Sequence, residues 1–142
     1  NTASVVIAVQ LGATRLLLVG DSPSGKRLDP SAAAGEVEGF LIDHHRSDIR
    51  ADILQVGHHG SKTSNRRDFL EAVHPTLALV SSGPKRYGKT VLPDREVIDE
   101  LHRIGAKVLR TDERDASCPL AHRIGPDTGP GGCDSYLITI AP

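Results

Sequence analysis

The sequence predicts an α/β fold in which helices pack on a mostly parallel or mixed sheet. Three observations support this prediction. The chain has 142 residues, which fits one compact domain. Its apolar runs are short and rich in branched residues, as strands are. After an initial hairpin, these runs alternate with helix-like segments, an order typical of βαβ units. We therefore expect a single domain over residues 1–142.

The first predicted element is a β-hairpin. Residues 4–10 and 15–19 are apolar, and a short connection that contains Gly12 separates them. Residues 21–30 have the composition of a loop. Ala, Glu and Leu then favour a helix over residues 32–44.

Two further strands enclose the next predicted helix. Residues 52–56 form a short strand, and residues 77–81 form another. Between them, Ser64 or Asn65 can cap a helix that ends near Val73.

The last predicted helix begins at Pro93 and ends at Gly105. Its apolar residues recur at helical spacing, namely Val97, Ile98, Leu101 and Ile104. The final strands are predicted at residues 107–110 and 136–140. Residues 112–133, between them, form the one long irregular segment.

Charge and hydropathy exclude few functions. The 17 basic and 18 acidic residues give a net charge of −1, which neither requires a nucleic-acid partner nor excludes a local basic patch. No apolar run approaches the roughly 20 residues that span a bilayer. The chain begins directly before a strand-like run, as expected of a segment from a larger protein.

Cys118 and Cys133 lie in a Gly/Pro/Asp-rich segment. Their even number and shared loop favour a disulfide in an oxidising compartment, and two free thiols in a cytosolic protein are the alternative. A zinc site is less favoured, because no CxxC spacing is present.

Candidate functional residues follow three of the predicted strands. Asp21 follows LLLVG, His58 and His59 follow DILQVG, and Ser82 and Tyr87 follow LALVS. Functional residues of α/β sheets collect beyond the carboxyl ends of strands. We therefore expect Asp21, His59 and Ser82 to converge at one rim.

The adjacent histidines are the strongest of these signals. Gly57 and Gly60 flank them and allow a bend and the close approach of a ligand. Because successive strand residues face opposite sides, we expect one imidazole to coordinate a metal ion and the other to contact substrate or hold a hydrogen bond. The alternative is two surface histidines in a polar turn, with Asp21 as an ordinary loop residue.

The candidate ligands are too few for a complete metal site. A dinuclear hydrolytic site needs about six protein ligands. Asp21 and His59, with His58 as a third candidate, would hold one ion at best. The rest of such a site would have to come from elsewhere.

These motifs, in this order, resemble the second half of a metallo-β-lactamase-fold domain. The resemblance runs over residues 1–112 and depends on LLLVGD, DILQVGHHGSKTS, LALVSSG, the following YG and VIDELHRIGAKVLRTD. The subgroup that these stretches most resemble is the extracytoplasmic C-terminal domain of the ComEC competence proteins.

The resemblance implies a role for each candidate residue. Asp21 matches a metal-bridging aspartate and His59 a histidine ligand of two divalent ions, Zn²⁺ or Mn²⁺. His58, Ser82 and Tyr87 are assigned to the catalytic cleft, where His58 would contact a phosphate-like oxyanion and the other two would line the rim.

The resemblance also implies an architecture. The chain would be half of a four-layer αββα fold, a mixed sheet with helices on one face. The first half of the domain would cover the other face, and without it we expect an exposed apolar face or a homodimer. The protein would lie on the extracytoplasmic side of a bacterial membrane.

Two departures from the family pattern matter. The H-x-H-x-D-H motif, which supplies most of both metal sites, is absent, as is the histidine that usually follows it. Lys89 follows YG where the relatives often continue with His-Pro. We therefore expect the chain alone to be inactive.

Three functions remain open. The resemblance favours part of a metal-dependent phosphodiesterase or nuclease linked to DNA uptake, which would act on single-stranded DNA or another phosphoester. The alternatives are a non-catalytic half-domain that binds a partner and a small-molecule metallo-hydrolase unrelated to DNA.

Overall fold

The computed structural model describes residues 4–83, 86–112 and 136–140. Within these ranges, a short 3-10 turn spans Gly57–Gly60. The strands are β1 (Ile7–Leu11), β2 (Thr14–Leu18), β3 (Ile53–Gln55), β4 (Leu77–Val80), β5 (Arg86–Tyr87), β6 (Thr90–Val91) and β7 (Lys107–Arg110). The helices are α1 (Glu36–His45), α2 (Arg67–Val73) and α3 (Arg95–Arg103).

Five strands form a mixed sheet in the order β1-β2-β3-β4-β7. β1 is antiparallel to β2, and the other neighbours are parallel. This topology confirms the predicted α/β fold with a mixed sheet. β5 and β6 form a separate hairpin that the sequence did not predict. The extent of the domain over residues 1–142 stays a prediction.

The core lies on one face of the sheet. Alternate strand residues are buried there, as the two-residue period of a strand requires: Leu17, Val19, Leu54, Val56, Ala78 and Val80. They share one buried cluster with apolar residues of two helices: Phe69, Leu70, Val73, Val97, Ile98 and Leu101. Leu41 and Ile42 of α1 pack against this cluster, so helices cover this face.

The opposite face of the sheet is also apolar, and we call it the open face. The strand register places the polar Gln55 and Lys107 there, together with six apolar residues, namely Ile7, Leu16, Leu18, Ile53, Leu79 and Leu109. Ile53 is buried, but Ile7 is 48% exposed and the four leucines are only half-buried. Tyr136 and Ile138 line a cavity on this side with Leu79 and Leu109.

Three predictions differ from the structure. Arg66 lies at the N-cap of α2 and no side chain caps this helix, so neither Ser64 nor Asn65 has the predicted capping role. α1 begins at Glu36 instead of residue 32, because backbone groups near its start are bonded to an earlier loop. Pro23 O accepts the N–H of Val37, and Ser24 Oγ accepts the N–H of Gly35. The strand predicted at residues 136–140 is wrong, since these residues adopt no strand.

The predicted disulfide between Cys118 and Cys133 lies outside the described residues. In the part of the chain that is described, the helices are too short or too polar to cross a bilayer.

Candidate functional site

A cleft of about 360 Å³ lies beyond the carboxyl ends of β2 and β3. Its lining includes Asp21, Arg27, His58, His59, Thr63 and Tyr87. Ser82 lines a neighbouring cavity of about 230 Å³, which also contacts His59 and Tyr87. The predicted site residues thus come from three chain segments that the fold brings to one region.

Asp21 is held at the end of β2 by a side chain of the next strand. Gln55 Oε1 accepts the backbone N–H groups of Val19 at 3.3 Å and Gly20 at 3.1 Å. Ser22 Oγ donates to Val19 O at 2.6 Å, which closes the turn that carries Asp21. The Asp21 side chain is exposed beyond this anchored turn.

The two histidines lie on a turn, not on the strand. His58 has φ 47° and His59 has φ 56°, both in the left-handed region. The expectation that alternating strand faces would separate the imidazoles is therefore wrong. Both rings line the same cleft, and their centroids are 6.3 Å apart.

A buried asparagine fixes this unusual turn. Asn65 has 0% exposure, and its Nδ2 donates to Gly57 O at 2.8 Å and to Ser61 O at 3.1 Å. Its Oδ1 accepts the Gly57 N–H at 3.0 Å. Backbone strain of the left-handed kind costs about 1–3 kcal/mol per residue. The Asn65 hydrogen bonds offset part of this cost.

Hydrogen bonds also join the aspartate loop to the histidine loop. His58 N donates to Gly20 O at 2.9 Å, and Ser24 N donates to Thr63 O at 2.7 Å. Ser64 Oγ donates to Ser22 O at 2.6 Å. These three bonds hold the loops that carry Asp21 and the histidines as one unit, and the bond from Ser64 is buried.

His59 is oriented by a backbone carbonyl. Its Nδ1 lies 2.7 Å from Ser81 O. A carbonyl can only accept, so Nδ1 carries the proton and Nε2 keeps a free lone pair. A histidine that binds a metal ion through one ring nitrogen usually donates the N–H of the other to an acceptor such as a backbone carbonyl. His58 Nδ1 lies instead 2.8 Å from Thr63 Oγ1.

The donor set is incomplete for a metal ion. Within the described ranges, no group of three or more His, Cys, Asp or Glu side chains could hold one. Asp21 and His59 share a cleft, but a zinc site needs about three or four protein ligands. The residues present therefore do not fit a complete metal site. The assignment of Asp21 and His59 as ligands stays a prediction.

Ser82 makes contacts of a structural kind. Its Oγ donates to Leu92 O at 2.6 Å, and its N–H donates to Thr111 Oγ1 at 2.9 Å. These bonds tie the end of β4 to the segment before α3 and to the residue that follows β7. The predicted catalytic roles of Ser82 and Tyr87 stay predictions.

Sequence reasoning missed two charged groups near this site. Arg27, in a segment that had only loop composition, lines the cleft and pairs with Asp94. Glu38 is 1% exposed on α1 and accepts the N–H groups of Asn65 and Arg66. Burial raises the pKa of Glu38 to about 7, although these N–H groups act in the opposite direction. Neither residue lies in a pattern that could have revealed its partner.

Known proteins are similar to this chain over most of its length. No family model matches it. It is 33% identical over 114 residues to ComE operon protein 3 of Bacillus subtilis, which covers 80% of this chain and 13% of that protein. It is 34% identical over 111 residues to Recombination protein 2 of Haemophilus influenzae, or 78% of this chain and 12% of that protein.

A third relative has a name that refers to competence. Competence protein ComA of Neisseria gonorrhoeae is 35% identical over 112 residues, which are 79% of this chain and 14% of that protein. The chain thus spans only about an eighth of the length of these relatives, whose shares are 12% to 14%. Over about four fifths of its length, this chain is therefore similar to one segment of competence-related proteins.

Proposed function

We propose that this chain is one part of a phosphodiesterase or nuclease domain that acts in DNA uptake. The observation that carries the proposal is the common cleft, where a carboxylate and two histidines from separate strand ends meet. Similarity to a competence protein and a recombination protein supports a DNA substrate. Single-stranded DNA is the substrate that we propose, with other phosphoesters as the alternative.

The chain's own residues would bind and orient a phosphoryl group. Asp21 and His59 would supply two of the ligands of a divalent metal site, Zn²⁺ or Mn²⁺, whose other ligands come from outside the described residues. Arg27 and His58 line the same cleft and would face the negative charge of the phosphate.

We propose that the open face is where the rest of the domain packs. An apolar sheet face needs a cover, and the metallo-β-lactamase resemblance supplies one in the form of the preceding half of a sandwich. The competence-related relatives, and the same resemblance, support an extracytoplasmic location. A homodimer through the open face is the competing arrangement.

Activity of a polypeptide that supplies both halves tests the proposal. Single-stranded DNA and a small phosphodiester would be assayed with Mn²⁺ or Zn²⁺. Asp21→Ala and His59→Ala should each reduce activity by at least about 10- to 100-fold, because loss of even an outer-shell partner of a metal ligand has an effect of that size. His102→Ala, an exposed histidine on α3 away from the cleft, is the matched control. Full activity in either cleft variant would refute the ligand assignment.

Two further results would favour the alternatives. If the coding sequence upstream of Asn1 lacks H-x-H-x-D-H, a non-catalytic partner-binding half-domain is the better explanation. If the small phosphodiester is cleaved and single-stranded DNA is not, the protein is a small-molecule hydrolase.

A further inference from the structure

We infer that Thr63 is a positioning residue, which holds His58 so that its Nε2–H is offered to a phosphoryl oxygen. The inference deepens the proposed function and rests on it for the identity of the anion. Its structural part rests only on the direction of hydrogen bonds among Arg27, Ser61, Thr63 and His58.

Ser61 Oγ accepts two hydrogen bonds, and these determine where its own proton points. Arg27 Nη1 lies 3.3 Å from Ser61 Oγ, and the backbone N–H of Thr63 lies 3.2 Å from the same oxygen. A guanidinium and a peptide N–H can only donate, so Ser61 Oγ accepts from both. The Ser61 proton is then directed to Thr63 Oγ1, which is 2.9 Å away.

The Thr63 hydroxyl is bonded both to Ser61 and to the imidazole of His58. Its Oγ1 accepts from Ser61 and keeps one proton to donate, and we assign this proton to His58 Nδ1, which lies 2.8 Å away. Nδ1 is therefore the acceptor, and Nε2 of the neutral ring carries the proton. Because Nδ1 is engaged with Thr63, the Nε2–H is the polar group that His58 can offer to the cleft it lines.

The neighbouring histidine has the opposite arrangement. His59 donates from Nδ1 to Ser81 O and keeps its lone pair on Nε2. Two adjacent imidazoles thus present a donor and an acceptor to one cleft. The donor suits an anionic oxygen, and the acceptor suits a cation. Arg27, the hydrogen-bond donor to Ser61, lines the same cleft, and its charge is balanced by the ion pair with Asp94.

Nitrogen NMR of the 142-residue chain tests the structural part. At a pH of about 8.5, where an ordinary imidazole is neutral, His58 should be protonated at Nε2 and His59 at Nδ1. Protonation of His58 at Nδ1 would overturn the inference. This measurement needs neither metal nor substrate, so it can fail while the proposed function stands.

Variants of Thr63 test the positioning role. Thr63→Val should shift the Nδ1 resonance of His58 and leave that of His59 in place, whereas Thr63→Ser should preserve both. Thr90→Val, which removes another hydroxyl of the cleft, should also preserve both. An unchanged His58 resonance in Thr63→Val would overturn the role. If that variant does not fold, a shifted His58 resonance in folded Thr63→Ser would do so.

Kinetics of the two-half protein provide the link to substrate. Thr63→Val should lower kcat/KM on a phosphodiester about tenfold, the effect of losing one hydrogen bond. Thr63→Ser should restore most of the activity. A Thr63→Val variant with unchanged kcat/KM would mean that His58 does not need this orientation to contact the phosphate.

Discussion

The two walls of the cleft are built differently. The histidine wall, residues 57–65, is a strained turn fixed by buried polar groups, and Ser64 and Asn65 are both 0% exposed. The hairpin wall, residues 86–91, is a two-stranded ribbon in which Tyr87 is 51% and Val91 is 44% exposed. Buried hydrogen bonds fix positions, and exposed ribbons contribute little to stability. We therefore expect the histidine wall to be as sensitive to substitution as a core, and the hairpin wall to be tolerant.

The largest loss of stability is expected for Asn65→Ala. Three side-chain hydrogen bonds disappear, buried backbone groups of Gly57 and Ser61 lose their partners, and alanine must adopt φ 62°. The free energy of unfolding should fall by about 4 kcal/mol. Urea denaturation followed by circular dichroism would measure it. A loss of stability below about 1 kcal/mol would mean that the turn does not depend on the Asn65 side-chain hydrogen bonds.

The next largest effect concerns Glu38 and pH. Burial raises the pKa of Glu38 to about 7 in the folded state, against 4.5 for an ordinary glutamate. The folded state thus binds this proton more tightly, so the stabilisation is complete below pH 4.5 and is lost as the pH rises towards 7. The expected decline is up to about 3 kcal/mol over this window.

Glu38→Gln is the control for this pH dependence. Stability of the variant, measured by denaturation at several pH values, should change little between pH 4.5 and 7. Hydrogen bonds from Arg67 and then from Arg103 lower the pKa of Glu100. The lowered pKa makes stability fall as the pH decreases below 4.5, which is the opposite direction and lies outside this window. An equal decline between pH 4.5 and 7 in both proteins would contradict the assignment to Glu38.

A pair of glycines compares the walls directly. Gly60 has φ 78°, and a Cβ there would lie 2.5 Å from Pro93 Cβ. Gly60→Ala should cost about 2–3 kcal/mol, from strain and overlap together. Gly88 on the hairpin wall has φ 64° with nothing within 4 Å of a Cβ, so Gly88→Ala should cost only about 1 kcal/mol. Thermal unfolding of both variants would measure the difference in stability. Equal losses of stability would show that Pro93 moves to accommodate the new Cβ.

The smallest effect is expected on the hairpin wall. Val91 is 44% exposed, and Val91→Ala should change the free energy of unfolding by less than about 0.5 kcal/mol. Denaturation in urea would again provide the measurement. A loss above about 1 kcal/mol would mean that the hairpin packs more tightly than its exposure indicates.

Local patterns were enough to predict most of the elements. Short apolar runs located β2 and β4 to within a few positions, and the 3.6-residue repeat located α3. These patterns work because one face of each element must be buried against the others. The start of α1 was misplaced, since Pro23 and Ser24, distant in sequence, accept the N–H groups that define it.

The sequence by itself determined the order of the three helices and of the five strands of the main sheet, and it indicated that Asp21 and the two histidines would follow strand ends. Only the tertiary structure decided how these side chains are presented, because their orientation depends on hydrogen bonds between distant segments. Such contacts determine the left-handed turn at the histidines and the hydrogen bonds of Asn65 that fix it. They also determine which ring nitrogen of His58 and of His59 carries the proton. Periodicity reports which face of an element is buried, and it carries no information about which distant polar group its ends will meet.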